Sequence, residues 1–310
     1  MLCRPQNRRA RAARAGRGFR LALLAGLLAT RLRAGDTTAS DDDLRIRGVF
    51  DSALPGTERK HALKLIVHPH LGDLTESDFL RTALGLRYGL TQRWEATGEV
   101  ETYFAHGLKQ KRFFDEAGLA GWHLGTKYRL GDPLRLGVET SVGVDWLQPT
   151  GTPPVEVTDG LRHVTPFVAF SRQLERHPAW RVFVGASYDD VAATDVAGRL
   201  TKNELGGDAV SLSGGFLYER GPLTYTLEAS YATMHPTDDV GREVFTLRPG
   251  IIWVVPAKYT FGSEGKWLVG FGLRAAHGPD GYDFGANAKL RVNFDFKRLL
   301  GRRKKSAWGR

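Results

Sequence analysis

The chain has 310 residues, a formal net charge of +10, 37 glycines and one cysteine. It has no run of 18 apolar residues, which excludes a helical membrane span, and one cysteine excludes internal disulfides and thiolate metal sites. Residues 1–34 hold nine arginines and residues 297–310 hold seven basic residues, both without an acid. The part between them is therefore acidic, so the net charge does not indicate a nucleic-acid binder.

The first 34 residues have the order of a secretory signal peptide. Residues 1–20 are basic, residues 21–29 (LALLAGLLA) are apolar, and Ala34 offers a small residue at which cleavage can occur. We therefore predict a cleaved signal peptide over 1–34, with a mitochondrial transit peptide and an upstream start codon as alternatives. Residues 35–60 would then form a periplasmic N-terminal segment.

From residue 61 onward, apolar and polar residues alternate with a period of two, which is typical of β-strands. The last segment is the clearest case, because Phe284, Leu290 and Phe294 alternate with Lys289 and Arg291. The same alternation predicts twelve strands, at residues 61–70, 78–90, 93–105, 117–131, 133–147, 162–174, 179–190, 208–219, 222–233, 243–255, 266–276 and 282–296.

Three features favour a membrane barrel over a soluble sandwich, which also alternates. Several segments are longer than the roughly 5–6 residues of a typical globular strand. Many begin or end with an outward aromatic residue such as Trp94, Trp146 or Trp180, as interface girdles require. Short and long connections alternate, up to a long connection at 256–265 where a tight turn would be expected.

We therefore predict an all-β protein, a transmembrane antiparallel up-and-down β-barrel of twelve strands over residues 61–296. Both termini would lie in the periplasm, and the protein would belong to the outer membrane of a Gram-negative bacterium. Residues 297–310 would form a basic, solvated C-terminal tail, although acidic lipid headgroups or nucleic acid could also bind such a run.

The polar face of the alternation would line the lumen. Charges of both signs in a narrow tube are expected to pair, so they could merely fill and rigidify the barrel, or they could line a wet path for a solute. Acids on the third strand could also impose a transverse field on arginines of the second. The predicted lumen residues are Lys64, His68, Arg81, Arg87, Glu95, Glu99, Glu101, His123, Lys127, Arg129, Arg135, Glu139, Asp145, Arg181, Glu228, Arg248, Arg274, Lys289 and Arg291.

Four short phrases resemble a known bacterial family. They are 88–95 (YGLTQRWE), 125–130 (GTKYRL), 149–151 (PTG) and 165–174 (TPFVAFSRQL), and they are similar to outer-membrane transporters associated with the phenol-degradation meta-pathway. That family is itself distantly similar to the fatty-acid and toluene channels of outer membranes. The resemblance implies a barrel that passes small, often hydrophobic or aromatic molecules. The fatty-acid channels carry an N-terminal luminal plug, for which residues 36–60 are the candidate here.

The leading functional hypothesis is a passive outer-membrane channel for small molecules, without a cofactor. The alternatives are a non-conducting structural or adhesion barrel, whose long loops 105–117, 148–161 and 191–207 bind a ligand, and a lipid-modifying enzyme. We expect no catalytic activity, since the Thr-His-x-Ser-Asn-Gly stretch of the twelve-stranded phospholipases is absent from the sequence. The expected partners are outer-membrane lipid, the barrel-assembly machinery and a small solute. The pair His68 and His70 has no third ligand in suitable spacing, so no metal site is predicted.

Overall fold

The computed structural model describes residues 50, 52–71, 73–76, 78–107, 113–198, 207–234, 243–256, 259, 266–279 and 281–294. Within these residues, no helix is long and apolar enough to cross a membrane. A four-residue helix, α1 (Asp73–Glu76), lies between the first two strands. The strands are β1 (Leu63–Pro69), β2 (Phe79–Gly89), β3 (Trp94–His106), β4 (Phe113–Gly131), β5 (Glu139–Pro149), β6 (Leu161–Leu174), β7 (His177–Ala193), β8 (Ala209–Arg220), β9 (Leu223–Met234), β10 (Glu243–Val255), β11 (Lys266–Gly278) and β12 (Gly281–Phe294).

The twelve strands form a closed barrel in which each strand pairs with its sequence neighbours and β1 pairs with β12. All pairs are antiparallel, and the closing pair runs from Leu63 opposite Phe294 to Val67 opposite Leu290. The prediction of a twelve-stranded up-and-down barrel is confirmed. We call the end where β1 begins and β12 ends the turn end, and the opposite end the loop end.

The register places every inward side chain of one strand beside an inward side chain of the next. Lys64 of β1 lies opposite Arg87 of β2 and also opposite Asn293 of β12. The residues of opposite parity face outward, and on β2 these include Leu84 and Leu86, which are 45% and 49% exposed. The outer surface is therefore apolar and the inner surface polar. Other exposed outward residues are Val100, Leu124, Val142, Val184, Leu212, Phe245, Ile251, Phe271 and Leu273.

The fifth strand begins later than predicted, and this corrects the position of Arg135. Residues 132–138 form a turn rather than the start of β5, which begins at Glu139. The carboxylate of Asp132 accepts hydrogen bonds from the amides of Leu136 (3.0 Å) and Gly137 (2.7 Å). Arg135 takes a left-handed conformation with φ of 55°. Arg135 is therefore an exposed turn residue at the turn end and does not line the lumen.

The other strand bounds differ from the prediction mainly by extension. The fourth strand starts at Phe113 instead of residue 117, and register shifts beside it lie at Glu101/Thr102 and Phe104/His106. These bulges break the strict alternation at this end of β4, which is why the pattern alone placed its start too late. The predicted signal peptide, the tail 297–310, and residues 295–296 of the last predicted strand lie outside the described residues.

The alternation of loop lengths is correct at most connections, but the turn-end connection 132–138 is longer than the predicted tight turn, and the pattern reverses at the end of the barrel. The turn-end connections 175–176 and 221–222 are short, and the loop-end connection 150–160 is long. Residues 256–265 join β10 to β11 at the turn end, whereas only residues 279–280 join β11 to β12 at the loop end.

Val184 tests the outward face, since it lies at the middle of β7 and is 52% exposed. Val184→Arg should lower the free energy of unfolding in lipid vesicles by about 2–4 kcal/mol, because the cation would face hydrocarbon. Denaturant titration in vesicles measures this difference. Val155→Arg in the loop 150–160 is the matched control and should leave stability unchanged. Equal effects of the two substitutions would contradict the assignment of the outer face.

Candidate functional site: the lumen and the segment that crosses it

All of the predicted lumen residues except Arg135 lie on strands. The strand register puts them at the alternate positions whose side chains face the lumen. Those nearer the turn end are Lys64, Arg87, Glu95, Lys127, Arg129, Glu139, Arg181 and Arg291. Those farther toward the loop end are His68, Arg81, Glu99, Glu101, His123, Asp145, Glu228, Arg248, Arg274 and Lys289. The lumen is thus lined with charge along its whole length.

The charges on β1–β4 form a connected group near the turn end. Glu95 lies 3.0 Å from the Nζ atom of Lys127 and 3.8 Å from the Nε atom of Arg87. The side chains of Glu95 and Lys127 are 3% and 6% exposed. Burial of such charges is tolerated only where they are paired, so this group depends on every member. The predicted approach of acids on the third strand to arginines of the second is seen at Glu95 and Arg87, and the transverse field stays a prediction.

A segment before β1, described at residue 50 and at residues 52–60 and called the segment 50–60, lies inside the barrel and contacts several parts of its wall. At its start, the amides of Phe50 and Ser52 donate hydrogen bonds of 2.7 and 2.9 Å to the two carboxylate oxygens of Glu228 on β9. The Nζ atom of Lys289 donates to the Phe50 carbonyl at 3.1 Å. Two charged side chains of the wall therefore hold the backbone of the segment at this point.

The middle of the segment is held by apolar packing. Leu54 is 1% exposed and belongs to one buried cluster with Phe50 and the wall residues Phe183, Leu217, Ile252 and Leu268. The carbonyl of Leu54 also accepts a 2.9 Å hydrogen bond from Lys127 on β4. The segment thus contacts β4 on one side of the lumen and β7–β11 on the other.

The end of the segment joins the group of charges on β1–β4. The amide of Glu58 donates to Glu95 at 2.7 Å, and the carboxylate of Glu58 lies 2.5 Å from the Nζ atom of Lys64. The Thr57 hydroxyl donates to the carbonyl of Gln92 in the turn between β2 and β3. From Phe50 to Glu58, the segment therefore crosses the interior near the turn end.

Glycines on the inner wall make room for the ring of Phe50. A Cβ atom at Gly270 would lie 3.4 Å from this ring, one at Gly272 would lie 3.1 Å from it, and one at Gly250 would overlap it. Gly250 and Gly272 lie directly opposite each other on β10 and β11. We call these three positions the glycine socket, because a Cβ atom at Gly250 would displace the Phe50 ring, one at Gly272 would crowd it and one at Gly270 would touch it.

At the loop end, the connection 150–160 is fastened to the wall by His163. The imidazole lies 2.8 Å from Asp159 through Nε2 and 2.7 Å from Asp189 through Nδ1, and Thr165 donates to Asp189 at 2.8 Å. Burial disfavours the charged form of Asp159, but hydrogen bonds from His163 and from the Leu161 amide outweigh it and lower the pKa of Asp159. Two residues before Asp159 in the same connection, Val157 packs against Tyr103 and Ala120.

Some residues of this site gave no signal in the sequence. Phe50 and Leu54 lie in a short stretch without periodicity, and a single aromatic residue there does not indicate its partner. His163 alternates like its neighbours, yet its two carboxylate partners come from a loop and from another strand. The glycines of the socket have the inward parity, and their spacing could have suggested a close approach of another chain segment.

Comparisons with known proteins give similarity of shape at low values. No protein family model matches the chain, and no curated protein matches it. A solved structure of KdgM porin has 9% identity and a TM-score of 0.42, covering 75% of this chain and 98% of that chain. NanC porin has 11% identity and a TM-score of 0.41, covering 75% and 98%. OmpT, an outer membrane protein of Vibrio cholerae, has 8% identity and a TM-score of 0.34, covering 75% and 96%.

These likenesses carry no argument about function, because the identities and TM-scores are low. The protein belongs to the class of closed antiparallel β-barrels. This assignment rests on the twelve-stranded barrel itself, with its apolar outer face and charged inner face. The resemblance to the phenol meta-pathway transporters stays a prediction, since no family model supports it.

The glycine socket predicts a specific steric effect. Gly250→Val should expel the Phe50 ring and free the segment, so trypsin should cleave after Arg59 and Lys60 at least about tenfold faster, since such cleavage follows local opening. Gly285→Val is the control, because Gly285 is also inward and a Cβ there meets no atom within 4 Å. Equal cleavage rates in the two variants would contradict the packing of Phe50 in the socket.

The ion pair of Asp159 predicts a dependence of stability on pH. Because its pKa is lowered in the folded state, the stabilisation is present above the unfolded value of about 3.9 and is lost as the pH falls through the folded value. The difference in unfolding free energy between the wild type and Asp159→Asn should therefore shrink in acid. Asp195→Asn, at an exposed loop position, should show no such change, and a pH-independent difference for Asp159→Asn would contradict the account.

Proposed function

We propose that the protein is an outer-membrane channel for small hydrophilic molecules, which cross it by passive diffusion. The observation that supports this proposal is the contrast between the two faces of the wall. Leu84, Val184 and Phe271 face outward with about half their surface exposed, which fits hydrocarbon lipid. The inner face carries charge on β1–β5, β7 and β9–β12, which fits a wet path through an apolar layer.

The chemistry of the lumen favours a hydrophilic solute. The resemblance to the phenol meta-pathway transporters implied a hydrophobic or aromatic one, yet charged side chains lie along the inner face on most strands, and apolar residues such as Ile66, Phe167 and Ala169 lie between them. The largest apolar group of the interior is the cluster with Leu54, where the side chains pack against one another and against the segment. Because this cluster is filled by the segment while charged residues line the rest of the wall, we assign the channel to polar molecules.

Residues 50–60 are proposed as the plug of this channel. The segment crosses the lumen near the turn end, which we place in the periplasm together with both termini. Its contacts are of three kinds, namely hydrogen bonds to Glu228, the Leu54 cluster and the ion pair of Glu58 with Lys64. A solute that enters from the loop end would therefore meet the segment before it reached the periplasm.

The same segment favours the second candidate, a barrel that never conducts. If the segment stays in place under all conditions, the barrel is a structural or adhesion protein, and its loops carry the function. The loop 150–160, held by His163 and by the packing of Val157, is then the part most ready to bind a ligand. A lipid-modifying activity has no support from a described catalytic group, and we do not propose it.

Conductance in planar bilayers tests the proposal. A chain without residues 36–60 should conduct several-fold more current than the mature chain, and Phe50→Ala should give an intermediate conductance, because it loosens one end of the segment. Gly285→Ala should conduct like the mature chain. A truncated chain that never conducts would contradict the channel. Equal conductance of the mature and truncated chains would contradict the plug and leave the channel intact.

A further inference from the structure

One side of the lumen differs from the charged side in its chemistry. On β7–β10, five inward residues with hydroxyl groups line one cavity, and they lie next to one another in the register. Ser187 is opposite Ser211, and Ser213 is opposite Ser230, which is opposite Thr246. Five hydroxyl residues on four adjacent strands form a surface that differs in chemistry from the charged surface on β1–β4. We call these five residues the hydroxyl wall.

The hydroxyl wall lines a cavity of about 220 Å³, between the wall and the segment 50–60. The remaining lining residues are Ser52 of the segment, Ala232, Glu228 and Arg248. This volume equals about seven water molecules at their share in the liquid, and it lies below the range of about 300–1,000 Å³ that drug-sized ligands occupy. The cavity therefore suits a small solute.

The hydroxyl groups of the four serines of this wall are open to the cavity. Within the described chain, the side chains of Ser187, Ser211, Ser213 and Ser230 make no hydrogen bond to a protein group, and all four residues are partly exposed. On the other side of the lumen, by contrast, Lys127 and Glu95 are paired. A hydroxyl can both donate and accept, so the wall offers both kinds of hydrogen bond to whatever enters.

The charges at the cavity balance. Glu228 and Arg248 are its only charged lining residues, and they lie opposite each other on β9 and β10. The carboxylate of Glu228 already accepts the amides of Phe50 and Ser52. The lining thus has a formal charge of zero and favours a neutral ligand over an anion or a cation.

From this geometry we infer that the cavity is a binding site for a neutral polyol of glycerol to hexose size. This inference rests on the proposed channel function and names the class of its solute. Hydroxyls of the ligand would exchange hydrogen bonds with Ser211, Ser213 and Ser230. Because Ser52 of the segment lines the same cavity, a bound polyol would touch the plug directly.

Binding of defined probes to the mature chain in detergent tests the inference. Saturation-transfer NMR is recorded with glycerol, D-glucose and phenol as separate probes. D-glucose or glycerol should bind, and phenol should not. The combined variant Ser211→Ala, Ser213→Ala and Ser230→Ala should weaken polyol binding by at least about tenfold, since each lost hydrogen bond contributes a modest factor. Ser230→Leu, which fills the cavity, should abolish binding.

Ser141→Ala is the matched control, because Ser141 is an inward serine on β5 that is 0% exposed and lies outside the cavity. It should bind the polyols like the mature chain, and heat-modifiable gel mobility verifies that each variant is folded. Polyol binding that is absent, or equal in the combined variant and the control, would overturn the inference. Binding of phenol that Ser230→Leu abolishes would overturn it in favour of an aromatic ligand. These outcomes do not depend on conductance, so failure of the channel proposal would be seen separately.

Discussion

Closure of the hydrogen-bond ladder between β1 and β12 is the constraint on which the rest of the structure depends. In hydrocarbon, each unpaired backbone amide or carbonyl costs several kcal/mol, so a wall of strands has to close on itself. The closing register, from Leu63 opposite Phe294 to Val67 opposite Leu290, also settles which side of every strand faces inward. A shift by one residue would turn Lys64 and Arg291 toward lipid and Leu65 and Val292 inward.

The register fixes which side chains of each strand face inward. The interior therefore has to accommodate many charged groups in a small space. On β1–β4 they are paired with one another and with Glu58 of the segment. On β7–β10 the wall is hydroxylated, and its charged pair of Glu228 and Arg248 is balanced. The segment 50–60 connects the two sides, since its amides bind Glu228 at one end and Glu95 at the other. Removal of the segment would therefore take two amide hydrogen bonds from Glu228 and the ion pair with Glu58 from Lys64.

Much of the fold could be predicted from the sequence, because a strand between water and lipid must alternate. The twelve strands and the inward direction of residues such as Glu95 and Lys289 follow from this period. Arg135 was misplaced because Leu134 and Leu136 continue the alternation into a turn that Asp132 closes by local hydrogen bonds. The position of Phe50 could not be predicted, because it depends on three glycines that come together only when β10 and β11 pair.

The central claim is that the wall separates a wet, polar lumen from lipid, and cysteine accessibility along β7 tests it most directly. In a mature chain that lacks Cys3, single cysteines are placed in turn at residues 182–189, and the rate of reaction with a membrane-impermeant thiol reagent is measured in vesicles. We predict that cysteines at Gly185 and Ser187 react, whereas those at Val182, Val184 and Ala186 are protected. Rates without this alternation, or faster reaction at the even positions, would contradict the account.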